Sequence, residues 1–549
     1  MTPRWHALVC VAVLAFAVGH IASAQQVRPY RPAFDVLDYT IAIDLPDTGS
    51  MIHSNALLSV ARTGKSDTLV LDLLDLTVNG VTVDGRAVKF SRTPEAIDIP
   101  LPRKGERATY QVAVDYSGVV KDGLIVRTDS AGRWTYFGDN WPNRARHWIP
   151  SIDHPSDKAT VTWRVTTLAS RTVIANGKLI STKPVRGASG GERQETVWRE
   201  SRPIAAYLMV IAAAPLTVYD LGETACGLAE TQRCVAQSVY TAPEQHAVAP
   251  GPFARAGEIV QLFSRLVGPF PYEKLAHLQS STRYGGMENA SAIFYADGGF
   301  RRQTMMDGVV AHETAHQWFG DAVTEREWPH VWLSEGFATY FSALWTRAAR
   351  GDSAFRSDMS RIRRTVLADT ISVSRRPVID TIETNLLALL NRNSYEKGGF
   401  VLHMMRTEVG ERAFFDALRA YYAKHKHGTA LTGDLQSEME RESKQQLGWF
   451  FDQWLRRPGY PEVSAQWSYD AVTHEVLVGV TQGTRFGAFE FPLTIAAIDA
   501  GGVAHRKVIR MTAVAGKSQE VRIALAEKPA ALVLDPDIEL LARLTVVPR

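Results

Sequence analysis

Cysteine is almost absent from this chain: 549 residues contain three, Cys10, Cys226 and Cys234. Cys226 and Cys234 lie close together in a polar, Gly-containing stretch without nearby histidines, a poor setting for a metal. Outside the cytosol, a hairpin-closing disulfide is their expected state. Cys10 sits inside an apolar run rather than just after a cleavage site, which argues against a lipid-anchored cysteine. Long apolar runs are also missing. Ala7–Val18 is too short to span a bilayer and no later stretch is long enough, so no membrane span is expected. Neither sign of charge dominates, with 61 Lys and Arg against 58 Asp and Glu, so nothing points to a nucleic-acid partner. Repeats and low-complexity tracts are lacking too.

What is present begins with a leader pattern. Arg4 gives a basic start, the apolar run follows, and Ala22-Ser23-Ala24 precedes Gln25 as a small-residue cleavage site. Residues 1–24 therefore read as a signal peptide cleaved after Ala24, and the protein as secreted or periplasmic. The remainder, 45% hydrophobic and 22% charged in a chain of this composition, is ordinary globular material too long for one core.

The chain divides by periodicity. From Phe34 to about Val239 the pattern alternates and is rich in turns, giving an N-terminal β domain over 25–243. Within it, "VNGVTVDGRAVKF" (78–90) sets Asn79-Gly80 and Asp84-Gly85 among β-branched residues, a hairpin signature. Past the prolines of 240–252 the period becomes helical, as in "ARAGEIVQLFSRLVG", and stays so to Pro458-Gly459. This sets a mostly helical domain over 244–460. Strand-like runs return over 461–549.

The chemistry concentrates in "VVAHETAHQWFG" (309–320), read as a helix ended by Gly320. His312 and His316 are four apart, so both imidazoles project from one face and suit zinc, with Glu313 beside them to hold a water. Glu335, in the helical stretch "HVWLSEGFATYFSALW", follows His316 after 18 residues. That spacing allows one helix, a connection and a second helix returning antiparallel. Two histidines and one glutamate bind one Zn2+ and leave a coordination position open, as a catalytic site requires. Upstream, "YGGMENA" (284–290) by itself reads as a surface turn. Its Asn289-Ala290-Ser291 is a glycosylation sequon by letter only.

With those residues placed, the sequence resembles the M1 family of zinc aminopeptidases. His312-Glu313-Thr314-Ala315-His316 with Glu335 is similar to the family's zinc signature, and "GGMEN" to its exopeptidase motif. "SYEKGG" (394–399) is similar to the segment bearing the family's catalytic tyrosine, here Tyr395. Pro142, Ala145, Arg146, Pro150, Asp153 and Pro155 match a stretch of its β domain. The resemblance implies a multidomain α+β protein. Its parts would be a saddle-like N-terminal β-sheet domain and a thermolysin-like, mostly helical catalytic domain; the strand-like C-terminal residues depart from the long helical domain of many members and read as a small β-sandwich. The cleft would then be more open, or closed by a second subunit in a homo-oligomer.

The resemblance further implies an aminopeptidase acting on peptides with a free N-terminus, with Glu313 as general base and Tyr395 stabilising the oxyanion. Glu288 would bind the substrate amine. Gly285, Gly286, Met287 and Asn289 would line the backbone path, and Asp139 would be a second amine ligand. Two positions depart from the family: Ser334 stands where many relatives have Asn, and Ser342 where many have a supporting Glu. A thermolysin-like endopeptidase and a non-catalytic peptide-binding protein are the competing readings. The first is disfavoured by the amine clamp, the second by the presence of both Glu313 and Tyr395.

Overall fold

A computed structural model describes residues 33–102, 108–186, 191–225, 234–248, 250–303 and 305–548. The leader with its cleavage site, Cys10, Cys226 and the side chain of Cys234 lie outside the described residues.

The first half is β-sheet. Eight strands form one sheet in the spatial order 178–186, 192–205, 158–168, 34–44, 51–62, 109–119, 77–83 and 86–87. Met51–Arg62 shows why: its side chains alternate between exposed and buried along most of its length, the period-two pattern of a half-buried strand. Smaller sheets of four and three strands complete this part. Of the two turn signals near residue 80, only Asp84-Gly85 makes a hairpin turn, both residues having positive φ. Asn79-Gly80 instead marks a bulge, where pairing with Thr109–Val119 slips between Val78 and Gly80.

A five-stranded sheet follows, in the order 217–225, 234–241, 274–280, 292–296 and 286–287. Its first two strands, read from sequence as the end of the N-terminal β domain, pair here. Cys234–Thr241 lies parallel beside Lys274–Ser280. Alternation identifies a strand but not its sheet. Gly286–Met287 is the edge strand, antiparallel to Ala292–Ala296.

Four helices position the site: α1 (Asp307–His316), α2 (Trp332–Arg350), α3 (Asp352–Ala368) and α4 (Gly398–Val409). The helix expected over 309–320 ends at His316, so Trp318 and Phe319 pack from a turn. α1 and α2 run antiparallel: Ser334 meets His316 near one end, while Ser342 reaches Gly308 and Arg350 reaches Asp307 towards the other. The β part is pinned on by Lys158, whose half-buried side chain donates from its ammonium to the carbonyls of Asp321, Ala322 and Gly428. Residues 462–548 form a four-stranded and a three-stranded sheet with shared apolar packing. No described helix is long and apolar enough to cross a membrane.

Candidate active site

Antiparallel pairing of α1 and α2 brings three ligand atoms together. His312 Nε2 and His316 Nε2 are 3.3 Å apart, and each lies 3.4 Å from Glu335 Oε2. A tetrahedral zinc with bonds of about 2.0–2.2 Å sets its ligand atoms about 3.3–3.6 Å apart, so the triangle has the size zinc requires. Glu335 Oε2 is buried without a hydrogen-bond partner, an acceptor left for a cation. Its other oxygen is taken, accepting 2.7 Å from the Tyr395 hydroxyl. Burial works against the Glu335 charge, but the two imidazoles outweigh it and hold the carboxyl at about 2. The donor set, its spacing and the orphaned oxygen all fit a zinc ion.

The supporting contacts are local. His316 Nδ1 lies 2.8 Å from Ser334 Oγ and 3.3 Å from the Phe319 carbonyl, which fixes the ring with Nε2 facing the triangle. Ser334 thus does the orienting work at a position where many relatives carry Asn. A Cβ at Gly320 would fall 2.3 Å from this hydroxyl, so the close approach requires glycine there. Ser342 does not reach the histidines; its hydroxyl donates to Gly308 O at 2.8 Å and ties α2 to the start of α1. For Ser334→Ala we expect zinc to dissociate about tenfold more readily, at the low end for a supporting contact because the Phe319 carbonyl remains. Competition with a chromogenic chelator measures this.

Tyr395 sits on a π-helical turn (Asn393–Lys397), a local irregularity common at functional sites. Asn393 anchors the turn by donating to the carbonyls of Ser372, Arg376 and Pro377. Gly398 packs against Gly336 so closely that a Cβ on Gly336 would lie 2.9 Å from the Gly398 carbonyl carbon. The glycines after Tyr395 therefore let this turn dock on α2 beside Glu335. The Tyr395 ring also stacks parallel to His312, with centroids 6.1 Å apart.

Tyr395 and the three ligand residues line one cavity of about 760 Å3, together with Gly285, Gly286, Met287, Glu288 and Glu313. Gly286 has a specific neighbour. A Cβ there would fall 2.2 Å from the Glu313 carboxylate, so this glycine makes room for Glu313. Burial pushes Glu313 up to about 8, with His316 opposing and Glu288 and Glu335 adding to the rise. Glu288 is pushed up to about 6 by burial, again opposed by His316 and reinforced by Glu335. A second triple of ligand atoms, from Glu288, Glu313 and His316, also lies within 4.8 Å. The metal end of the cleft is a crowd of carboxylates that calls for cations.

Two expected residues do not reach the cleft. Asp139 is fully buried and bound to Arg144 at 2.6 Å, and it accepts from the Arg283 backbone at 3.2 Å. Its short side chain is spent on a structural arginine. Asn289 is buried behind the edge strand with both side-chain polar atoms unpartnered, and Ser291 is fully buried too, so the sequon offers no accessible amide. Trp141, which sequence reasoning missed, lines the cleft instead, packed edge-on against Tyr284 and Trp328. Its signal was its place immediately before Pro142, at the head of the matched β-domain stretch. Glu325 was missed as well. It is buried, both carboxylate oxygens lack partners, and burial pushes it up to about 8.

The antiparallel helix pair, its three-ligand triangle and the five-stranded sheet beside it define a thermolysin-like metallopeptidase architecture. Residues 37–208 match the Peptidase M1 N-terminal domain and residues 256–454 the Peptidase family M1 domain. The chain belongs to peptidase family M1. Among curated relatives, it is 26% identical to Aminopeptidase N of Lactococcus lactis subsp. lactis over 468 residues, covering 78% of this chain and 52% of that protein. It is 27% identical to Leucine aminopeptidase 2 of Yarrowia lipolytica over 382 residues, covering 65% and 55%. The chain spans about half the length of the curated relatives it matches.

Solved structures share the fold. The M1 zinc metallopeptidase from Deinococcus radiodurans superposes with a TM-score of 0.68 at 23% identity, covering 77% of this chain and 94% of that one. Legionella pneumophila aminopeptidase A in complex with aspartic acid gives 0.79 at 18%, covering 94% and 60%.

Proposed function

We propose that the protein is a zinc-dependent aminopeptidase that removes residues singly from the free amino termini of peptides. One observation carries this reading: the buried Glu288 carboxylate lines the same cavity as Glu313 and the His312–His316–Glu335 triangle. His312, His316 and Glu335 hold one zinc ion, which when bound acidifies water and polarises a carbonyl. Glu288 pairs with the substrate ammonium and sets how far the peptide enters. The Gly286–Met287 edge offers backbone groups along which an extended peptide aligns. Glu313 takes a proton from the attacking water and returns it to the departing amine. Its raised pKa suits a group that must hold that proton for part of the cycle. Tyr395 turns its hydroxyl from Glu335 to the carbonyl oxygen as charge develops there. The leader pattern over 1–24 makes export part of the same reading.

The test compares aminoacyl chromogenic substrates bearing a free amine with their N-acetylated forms. We expect the free-amine substrates to turn over far faster than the slow residual rate of the blocked forms, with both abolished by a chelator and restored by Zn2+. Equal turnover of the blocked forms would point to an endopeptidase. No turnover of either by zinc-loaded protein would leave a peptide-binding protein on this scaffold.

A further inference from the structure

The cleft has a second charged end that the proposed chemistry does not use. Glu288 lies by the C-terminal end of α1, where its backbone carbonyl accepts 2.9 Å from Gln317. Asp307 opens the same helix and binds Arg350 at 2.7 Å. From His316 back to Asp307 is about 14 Å of helix, and from Glu335 to Arg350 along α2 about 22 Å. Thr339, Ser342, Thr346 and Arg350, on one face of α2, line the cavity between these points. It therefore runs from the Glu288 carboxylate, past the metal triangle, to an end lined by Arg350 and Arg361 together with Asp307, Asp358 and Glu396.

The two arginines differ in how they are held. Arg350 is engaged by Asp307, and Glu396, the acid next to Tyr395, is engaged by Arg392. Arg361, on α3, is 60% exposed, and its ion pair with Asp358 is long at 3.6 Å. Guanidinium presents five donors in a planar fork, so one loose contact leaves most of that fork for a ligand. A peptide substrate is a zwitterion: with its ammonium at Glu288, its other charge is the C-terminal carboxylate. An extended chain rises about 3.3 Å per residue, so a peptide of about three to five residues places that carboxylate at the far end. Guanidinium and carboxylate match in shape and charge.

We propose that Arg361, with Arg350 beside it, receives the C-terminal carboxylate of short peptide substrates, making this chain an oligopeptide-preferring enzyme. This rests on the aminopeptidase reading above.

The experiment uses zinc-loaded full chain and matched tri- to pentapeptides ending either as the free acid or as the amide. We expect kcat/KM to favour the acid about five- to tenfold, carried mainly by KM, the modest size reflecting an exposed arginine. Arg361→Gln should bring acid and amide to parity, and Arg361→Lys should keep part of the preference. Single-residue chromogenic substrates, too short to reach Arg361, should turn over at the same rate in all three proteins.

Calorimetric binding of the same peptides to Glu313→Gln protein keeps the test independent of turnover. Release of the N-terminal residue with no acid preference, or a preference that survives Arg361→Gln, would overturn the carboxylate site and leave the aminopeptidase reading standing. An acid preference in binding that vanishes in Arg361→Gln, with no release by the active protein, would keep the carboxylate site and overturn the aminopeptidase reading.

Discussion

Glu313→Gln is expected to lower kcat by about a thousandfold while the protein keeps its zinc and its fold. Glutamine has nearly the same shape, so it fits beneath Gly286, where a Cβ would otherwise fall 2.2 Å from the Glu313 side chain. It keeps a carbonyl oxygen to accept from water but cannot take up a proton, so only proton transfer is removed. His312, His316 and Glu335 are untouched, and zinc content by elemental analysis should stay at one per chain. Stability gives an independent check. Burial and the neighbouring Glu288 and Glu335 carboxylates all disfavour the charged form of Glu313, which is pushed up to about 8. Glutamine keeps the side chain's volume and its packing under Gly286, so the melting temperature should hold. A large loss of kcat with no loss of stability or zinc is the signature of a proton carrier. Activity within tenfold of the parent would remove Glu313 from that role.

The sequence disclosed the metal ligands because helical spacing is a strong rule: residues four apart share a face whatever surrounds them. His312 and His316 needed no tertiary knowledge, and the 18-residue interval to Glu335 suited a simple helix return. What it hid depended on partners distant in sequence. Asp139 looked available because its contact with the Arg283 backbone comes from far along the chain, while Arg144, five residues on, takes up its other oxygen only through the fold of the intervening turn. Asn289 sat in the right motif but two residues past the short edge strand, where no alternation shows that its side chain turns inward. Gly286 was read as space for a peptide backbone, yet the nearest claim on that space is the Glu313 carboxylate, 27 residues away. The 217–241 hairpin was visible as strands, but its parallel pairing with 274–280 belongs to topology rather than pattern. Tyr395 was legible only by resemblance. Its π-helical turn and the Gly336–Gly398 contact that docks it leave no periodic trace.

The charge balance of the cleft leads to the second large effect. Glu288, Glu313 and Glu335 line the metal end, all three buried. In their ionised forms they carry three negative charges, and a zinc ion supplies two positive ones. The charge that completes neutrality is one cation, and a peptide's ammonium is that cation. Glu288 is the carboxylate placed to receive it, since Glu335 is committed to the imidazoles and Glu313 to the proton.

Glu288→Ala should therefore cost about a hundred- to a thousandfold in kcat/KM on free-amine substrates, the range expected when one partner of a buried charge pair is removed. N-acetylated substrates carry no ammonium and should change only a few-fold, so the ratio between the two classes collapses. A structural role for Glu288 predicts something different. Loss of the edge strand's geometry would lower both classes together, along with the melting temperature. Proportional losses on blocked and free substrates would therefore sink the amine-clamp assignment, whereas a selective loss would make Glu288 the residue that turns a zinc hydrolase cleft into an exopeptidase.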